Sequence, residues 1–494
     1  MRLQELKELL ITARLEGDGE TEFAGIEKDS RAVKPGQLFI CVRGLTVDGH
    51  EFAGQAVAQG AAALVVERRL PLHVPQLIVK DSRLATAVIA DYVYAHPSED
   101  LKLIGVTGTN GKTTTTYLIE QIFLKQDISA GVIGTIERRF GGRSFPMSGT
   151  TPDAHELQRY LGEMRDEGTE ICAMEVSSHA LEQGRVKGCR FRTAIFTNLT
   201  QDHLDYHGTM EQYESAKGLF FSRLGNAYSQ PNEQRSFAVL NADDPASARF
   251  GMLTSAEVVT YGVEQEADVR ASQIHVKAKG TSFHVDTFRG SADINLLLRG
   301  KFNVYNALAA ITAALIEDIP LYAVKEALES VRGVPGRVES VDAGQNYAVV
   351  VDYAHTPDGL ENVLKAVREF AEERLICVFG CGGDRDRTKR PLMGKIAASY
   401  ADYVIVTSDN PRTENPVRII ADVEGGLKEA AVPGHCYSVV PDRKAAIEKA
   451  VEMASQGDVV LIAGKGHETY QLIGGRSYPF DDRIVAKEAI IRRL

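Results

Sequence analysis

A chain of 494 residues is too long for one hydrophobic core, so two to four domains are expected. Its 44% apolar and 25% charged residues are those of a soluble globular protein, and no apolar run approaches the roughly 20 residues of a membrane span. A formal charge of −11 and a pI of about 5.7 leave no basic footprint for nucleic acid. Six scattered cysteines, with Cys377 and Cys381 as the only close pair, suit reduced thiols in the cytoplasm. The opening Met1-Arg-Leu-Gln-Glu-Leu-Lys-Glu has no apolar signal-peptide core, which agrees with a cytoplasmic protein.

Residues 1–97 mix short strands and helices, with strands expected at Gln37–Val42 and Ala61–Val66, and Ala95-His-Pro97 marks a boundary. Residues 98–332 open on Leu101–Val106, a short apolar strand. Then comes Gly105-Val-Thr-Gly108-Thr109-Asn110-Gly111-Lys112-Thr113-Thr114, followed by Tyr117, Leu118, Ile119, Ile122 and Phe123 at helical spacing. Strand, glycine turn and helix together are the context of a phosphate-binding loop. Its backbone N–H groups and the helix N-terminus face the anion, Lys112 reaches the β/γ-phosphates and the Thr113 hydroxyl sits on Mg²⁺. Val106 stands where the common pattern has its first glycine, so the loop is a variant. Thr113–Thr116 is a β-branched run in a first helical turn, a local rule broken where function is expected.

Further strands are expected at Ile171–Val176, Thr193–Asn198, Phe237–Asn241 and Val258–Tyr261. An antiparallel patch is expected between about 267 and 300, and then a helix from Phe302. Gly333-Val-Pro-Gly-Arg337 is the best linker. Residues 338–494 alternate strand and helix again. Four apolar strands run into polar or glycine-rich clusters, at Asp352–Asp358, Gly380–Arg387, Ser408–Arg412 and Ala463–Glu468. Ligands of open α/β sheets bind at such carboxyl ends. The expected fold class is therefore α/β in three domains. They are a small N-terminal α/β domain, a central P-loop ATPase-like domain with a mostly parallel sheet, and a C-terminal Rossmann-like domain of residues 333–494.

Glu175 ends an apolar strand beside the loop, where a Mg²⁺ ligand belongs. Asn198 to His207 packs two histidines and two aspartates, His203 among them, after another strand. Thr150, Thr151 and Ser177 offer hydroxyls that either bind a sugar nucleotide or peptide or cap helices. Lys217, on a helix of mixed character, reads by itself as a solvated lysine. One site for ATP and another for a different ligand suggest an ATP-dependent ligase, with a hinge at Pro335-Gly336.

Taken together, Gly108-Thr-Asn-Gly-Lys-Thr113, Glu175-Val-Ser-Ser-His179, Asn198 to His207, Asn303-Val-Tyr-Asn306, Gly336-Arg337 and Asp352-Tyr-Ala-His355 resemble the Mur ligase family over essentially the whole chain. Gly382-Gly-Asp-Arg385-Asp, Asp409-Asn-Pro-Arg412 and Gly464-Lys-Gly-His-Glu468 are similar to the members that add diaminopimelate. The resemblance implies that residues 1–97 bind a UDP-sugar, 98–332 bind ATP, and 333–494 bind an amino acid. It implies an amide ligase that joins meso-diaminopimelate to UDP-MurNAc-L-Ala-D-Glu through an acyl phosphate. These small-molecule substrates and Mg²⁺ are the partners it implies; nothing in the sequence demands a protein partner, and a monomer is expected.

By resemblance, the nucleotide lies on Gly108 to Thr114, Asn306, Arg337 and Asp352. Thr113 and Glu175 hold one Mg²⁺, and His203 with a carbamylated Lys217 holds another, with Lys112 completing the catalytic set. Ser30, Thr150, Thr151, Ser177, Gln183 and Arg185 match contacts of the UDP-MurNAc-dipeptide. Arg185 is either an anion ligand or a plain surface arginine. Arg385, Asp409, Asn410, Pro411, Arg412, Gly464 and Glu468 form the diaminopimelate pocket, with Arg412 on the distal carboxylate and Glu468 on the distal ammonium. The alternatives are the same ligase using L-lysine, a folylpolyglutamate synthase-like ligase, and a non-catalytic nucleotide-binding scaffold.

Overall fold

The computed structural model describes the chain apart from residues 45, 46, 148, 227, 229, 230, 278, 279, 432 and 435, and apart from the side chains of 205 and 233. Three main sheets follow one another along the chain. The first is five-stranded, in the order Arg14–Glu16, Gln76–Ile78, Ala63–Val66, Leu38–Ile40, Ile26–Glu27. Its two faces carry separate apolar clusters, one centred on Leu38, Ile40 and Leu77 and the other on Phe39, Leu64 and Val66. Alternation along single strands divides the residues between the faces.

The second sheet has eleven strands. At its centre, Lys102–Thr107 pairs in parallel with Ile171–Glu175 on one side and Phe191–Phe196 on the other. Both faces of these strands are buried, which is why they read as continuous apolar runs rather than alternating ones. Helix Lys112–Leu124 lies against helix Lys301–Ile316, whose alanine-rich surface is buried along most of its length. Val269–Lys277, Gly280–Thr287 and Gly290–Leu296 form the expected antiparallel patch at one edge. The strands Glu137–Phe140 and Arg143–Pro146 close the other edge, with no strand foreseen there.

The third sheet runs Glu339–Ser340, Ala348–Asp352, Val459–Ala463, Leu375–Phe379, Tyr403–Val406, Tyr437–Val439. The four strands singled out from sequence are mutually parallel and adjacent. Their polar clusters therefore emerge at one edge of one sheet. A hairpin, Tyr470–Ile473 with Arg476–Pro479, stands beside that edge. Within the Gly333–Arg337 joint, Gly336 is held in place by its backbone. The Gly336 carbonyl accepts from Tyr353 N–H at 3.0 Å, and Gly336 N–H donates to Glu339 Oε2 at 2.6 Å.

Candidate active site

The strand–turn–helix of the phosphate loop is built as its sequence demands. Gly108 adopts φ +146°, and a Cβ there would lie 1.9 Å from Thr197 Oγ1, so only glycine fits. Gly111 caps the helix that begins at Lys112. Asn110 N–H donates to Asn198 Oδ1 at 2.9 Å, and Thr109 Oγ1 contacts Thr200 O at 3.1 Å and Tyr213 Oη at 3.2 Å. The threonine run is explained by its partners. Thr113 donates to Glu175 Oε1 at 3.0 Å, Thr115 to Asn306 Oδ1 at 3.4 Å, and Thr116 to the Thr113 carbonyl at 2.9 Å. Thr114 is buried beside them.

Glu175 is 1% exposed and also accepts from Thr135 N–H at 2.8 Å and Thr135 Oγ1 at 3.0 Å. Its register opposite Val106 places it at the mouth of the loop. Lys112 Nζ bridges the Gly108 and Thr109 carbonyls at 2.9 and 2.7 Å, and burial pushes its pKa below the usual lysine range.

Lys217 is not a solvated lysine. It is 1% exposed, and its Nζ donates to the same Gly108 carbonyl at 2.8 Å and lies 4.5 Å from the Tyr213 ring centre. Burial first, and the Lys112 charge second, push its pKa well down. The folded amine thus binds protons more weakly than the unfolded one. Below the folded pKa the penalty is full, and stability rises with pH between the folded and unfolded values. Lys217→Met in CO₂-free buffer is therefore expected to stabilise the protein at pH 7 by about 1 kcal/mol. A lower melting temperature in the variant would show that the Gly108 hydrogen bond outweighs the burial cost.

The acid–histidine cluster divides. His207 is buried, with Nε2 2.9 Å from Ser178 Oγ and Nδ1 3.2 Å from Glu182, so it braces helix Ser178–Glu182. His203 adopts φ +54°, sits 3.3 Å from Asp202, and has its ring 6.2 Å from that of Tyr213. Tyr213 thereby borders both Lys217 and His203. The side chain of Asp205 lies outside the described residues.

Across the joint, Arg337 Nη2 donates to Thr113 Oγ1 at 3.1 Å. Asn110 Nδ2 and Thr200 Oγ1 both donate to Asp358 Oδ2, at 3.2 and 3.0 Å. Asp358 stands in the first turn of helix Pro357–Arg368, and the sequence reads it only as the end of the Asp352–Asp358 cluster. Asp352 accepts from Val338 and Ala354 N–H at 2.8 Å each, and burial raises its pKa.

The hydroxyl set is split between capping and reach. Ser177 caps helix Ser178–Glu182, and Thr151 Oγ1 donates to the Glu175 carbonyl at 2.9 Å. Thr150 Oγ1 lies 3.1 Å from Thr135 Oγ1, whose proton goes to Glu175. Arg185 is no plain surface arginine. It donates to the Thr151 carbonyl at 2.8 Å and to Gln183 Oε1, and it pairs with Asp153 at 3.1 Å. Lys28 pairs with the same Asp153 from the first sheet's side. A cleft of about 330 Å³ between these parts is lined by Lys28, Arg83, Asp153, Gln183 and Arg185. Ser30 donates to Gln55 at 3.0 Å on the same unit.

At the edge of the third sheet, Arg412 donates through Nη1 to the Gly383 carbonyl at 2.8 Å. Its own backbone is at φ +52°, and Leu472 O and Gly474 N–H hold it at 2.9 and 2.7 Å. A Cβ on Gly382 would lie 2.9 Å from Arg412 Nη1 and 3.9 Å from Arg385 Cγ, so the two arginines flank that glycine. Pro411 packs on Gly383. Asn410 Nδ2 donates to Glu468 Oε2 at 2.8 Å. Asp409 Oδ2 is buried, has no hydrogen-bond partner among the described residues and lies 2.4 Å from where a Gly464 Cβ would stand. Sequence reasoning placed Glu468 on a substrate ammonium. The structure first gives it Lys465, at 2.8 Å. The motif itself contained that lysine, and only its burial was hidden.

Residues 22–95, 106–314 and 336–466 match, in turn, the Mur ligase family catalytic domain, the Mur ligase middle domain and the Mur ligase glutamate ligase domain. The chain belongs to the Mur ligase family. Among curated Mur ligases it is 53% identical to the UDP-N-acetylmuramoyl-L-alanyl-D-glutamate--2,6-diaminopimelate ligase of Geobacillus thermodenitrificans, with 100% of both chains covered. It is 50% identical to the protein of the same name from Halalkalibacterium halodurans, covering 100% of this chain and 99% of that one. A solved Mur ligase structure of that name superposes with a TM-score of 0.71 at 35% identity, over 100% of this chain and 99% of the other. A folylpolyglutamate synthase from Mycobacterium tuberculosis, at 16% identity and a TM-score of 0.62, covers 77% of this chain and shares the fold.

Proposed function

We propose that this protein is the ATP-dependent ligase that joins meso-diaminopimelate to the D-glutamate γ-carboxylate of UDP-MurNAc-L-Ala-D-Glu, a step of peptidoglycan precursor synthesis. ATP phosphorylates the carboxylate and leaves as ADP, the neutral amine attacks the acyl phosphate, and the tetrahedral intermediate loses a proton and releases phosphate as the amide forms. Residues 1–97, 98–332 and 333–494 act as the UDP-sugar, ATP and amino-acid domains of a cytoplasmic monomer.

The observation that carries the assignment is the charge layout at the third sheet's edge. Arg412 and Arg385 flank Gly382, while Glu468 and Asn410 are bonded to each other nearby. meso-Diaminopimelate is a lysine skeleton with a second carboxylate, and such a layout suits an extra carboxylate beside an ammonium. The relatives at 50–53% identity carry names for this activity. Asn306, Arg337 and Asp352 surround the nucleotide, and Arg337 supports that role through its hydrogen bond to Thr113. Ser30, Thr150, Thr151, Ser177, Gln183 and Arg185 bind the UDP-MurNAc-dipeptide along and below the cleft that Lys28 and Arg185 line.

Hard oxygen donors at Thr113 and Glu175 fit Mg²⁺. Lys217 fits the second ion only as a carbamate, in which the neutral amine bonds to the carbon of CO₂ and releases one proton to water. Its burial against Lys112 favours the neutral amine that this requires. With His203, the carbamate oxygen would hold the ion. Mg²⁺ bound at these donors would neutralise charge on the transferring phosphoryl group. Lys112 leaves the loop carbonyls for the phosphates, and the loop N–H groups hold the anion. Native mass spectra in bicarbonate should show one added CO₂ that Lys217→Met lacks. An unmodified parent that is fully active would remove the carbamate.

Phosphate release with ATP, Mg²⁺ and UDP-MurNAc-L-Ala-D-Glu tests the whole assignment. Turnover is expected with meso-diaminopimelate and not with L-lysine. Equal turnover with lysine would keep a ligase and remove the diaminopimelate pocket. Silence with both would remove the ligase.

A further inference from the structure

The Gly464–Glu468 run contains one charged residue that the proposed reaction leaves unused. Lys465 is 0% exposed. A buried ammonium is costly unless paired and hydrogen-bonded, so its partners define what it does. Its Nζ donates to Glu468 Oε2 at 2.8 Å and to Asn410 Oδ1 at 3.2 Å, and lies 5.5 Å from the Tyr470 ring centre. Asn410 Oδ1 also accepts Leu472 N–H at 2.9 Å, while Asn410 Nδ2 donates to Glu468 Oε2 at 2.8 Å.

These bonds permit one orientation of the Asn410 amide. Flipped, its NH₂ would face the Lys465 ammonium and the Leu472 N–H, donor against donors, and its oxygen would face the Glu468 carboxylate. Glu468 is held by Oε2 alone in this set, which leaves Oε1 for another donor. The influence extends to the opposite end of the pocket. Leu472, fixed by Asn410, accepts the Arg412 N–H through its carbonyl at 2.9 Å, and Gln471 Nε2 donates to the Asp409 carbonyl at 2.7 Å. The hairpin is thus fastened to the Asp409–Arg412 run through the residue that Lys465 orients.

We propose that Lys465 is a positioning residue for amino-acid selection: it locks the Asn410 amide and holds Glu468 by one oxygen, so that the other meets the substrate ammonium. This rests on the ligase assignment above. With substrate bound, the Glu468 carboxylate bridges two cations, one from the protein and one from the ligand. Without Lys465 the half-buried carboxylate loses its directly bonded cation, and the Asn410 amide keeps only the Leu472 and Glu468 bonds to set its orientation.

The test is steady-state kinetics of the full-length enzyme with each substrate varied in turn. Lys465→Met is expected to raise the KM for meso-diaminopimelate by about tenfold or more, with the KM values for ATP and the UDP-substrate within about twofold of the parent. Glu468→Gln should raise the same KM, and the double variant should fall short of the product of the two single effects, because each removes the same contact. Lys465→Gln, which keeps an N–H donor without the charge, carries the test should the methionine variant not fold. A purely structural lysine would lower the melting temperature and kcat while leaving the three KM values in proportion. That outcome, or single effects that multiply in full, would overturn the proposal. Parent enzyme silent with diaminopimelate would overturn the ligase assignment instead, so the two failures are distinct.

Discussion

Lys112→Met is expected to lower phosphate release at saturating substrates by about 10³-fold, in the range found when one preorganised donor to a developing charge is lost. The prediction follows from where the ammonium stands. Its Nζ bridges the Gly108 and Thr109 carbonyls of the loop, half-buried and partly desolvated, with Lys217 on the same Gly108 oxygen. Two amines converging on one carbonyl is a poor arrangement by itself. In the proposed function an entering polyphosphate would draw Lys112 away and relieve it. A fixed cation in a water-poor site is worth far more to the phosphoryl group than one in water. The loop itself should survive the change, because Gly108, Asn198 and Thr197 hold it independently of that side chain. Unchanged melting behaviour with lost turnover is therefore the expected pair of results. Turnover within tenfold of the parent would exclude Lys112 from the transfer step.

Arg412→Ala is expected to lower kcat/KM for meso-diaminopimelate by about 10³-fold, and to narrow its advantage over L-lysine by a similar factor. A site built on polar pairing rejects a ligand lacking the partner group by factors of up to about 10⁴–10⁵. Arg412 uses Nη1 on the Gly383 carbonyl, which aims a planar fork that lysine could not reproduce. Its backbone is held in the left-handed region by Leu472 and Gly474. Arg412→Lys is accordingly expected to recover only a small part of the loss. The competition between the two amino acids is the decisive measurement. If both substrates weaken equally, Arg412 supports the loop rather than reads the carboxylate.

Several features were legible because they are local. The phosphate loop needs glycines at fixed offsets between a strand and a helix, and the chain supplies them in order. The carboxyl-end clusters at Asp352, Gly380, Ser408 and Ala463 follow runs of apolar residues that can only be buried strands. Once those strands are parallel, their ends must share an edge. The strand pair Glu137–Phe140 and Arg143–Pro146 escaped notice because it carries charged residues and only partly buries its side chains. Thr151 and Ser177 stayed undecided, since capping and ligand binding call for the same hydroxyl.

The sequence by itself determined the α/β class, the glycine-rich loop between strand and helix and the four polar strand ends, because periodicity and glycine placement act over a few residues. Only the tertiary structure decided which charges are buried and against what. Lys217 looks solvated on its own helix and becomes a buried amine because Gly108, 109 residues away, lies over it. Asp358 meets Asn110 across 248 residues, and Lys465 meets Asn410 across 55. Burial and pairing of a charge depend on the element packed above it, and no pattern within its own element records that neighbour.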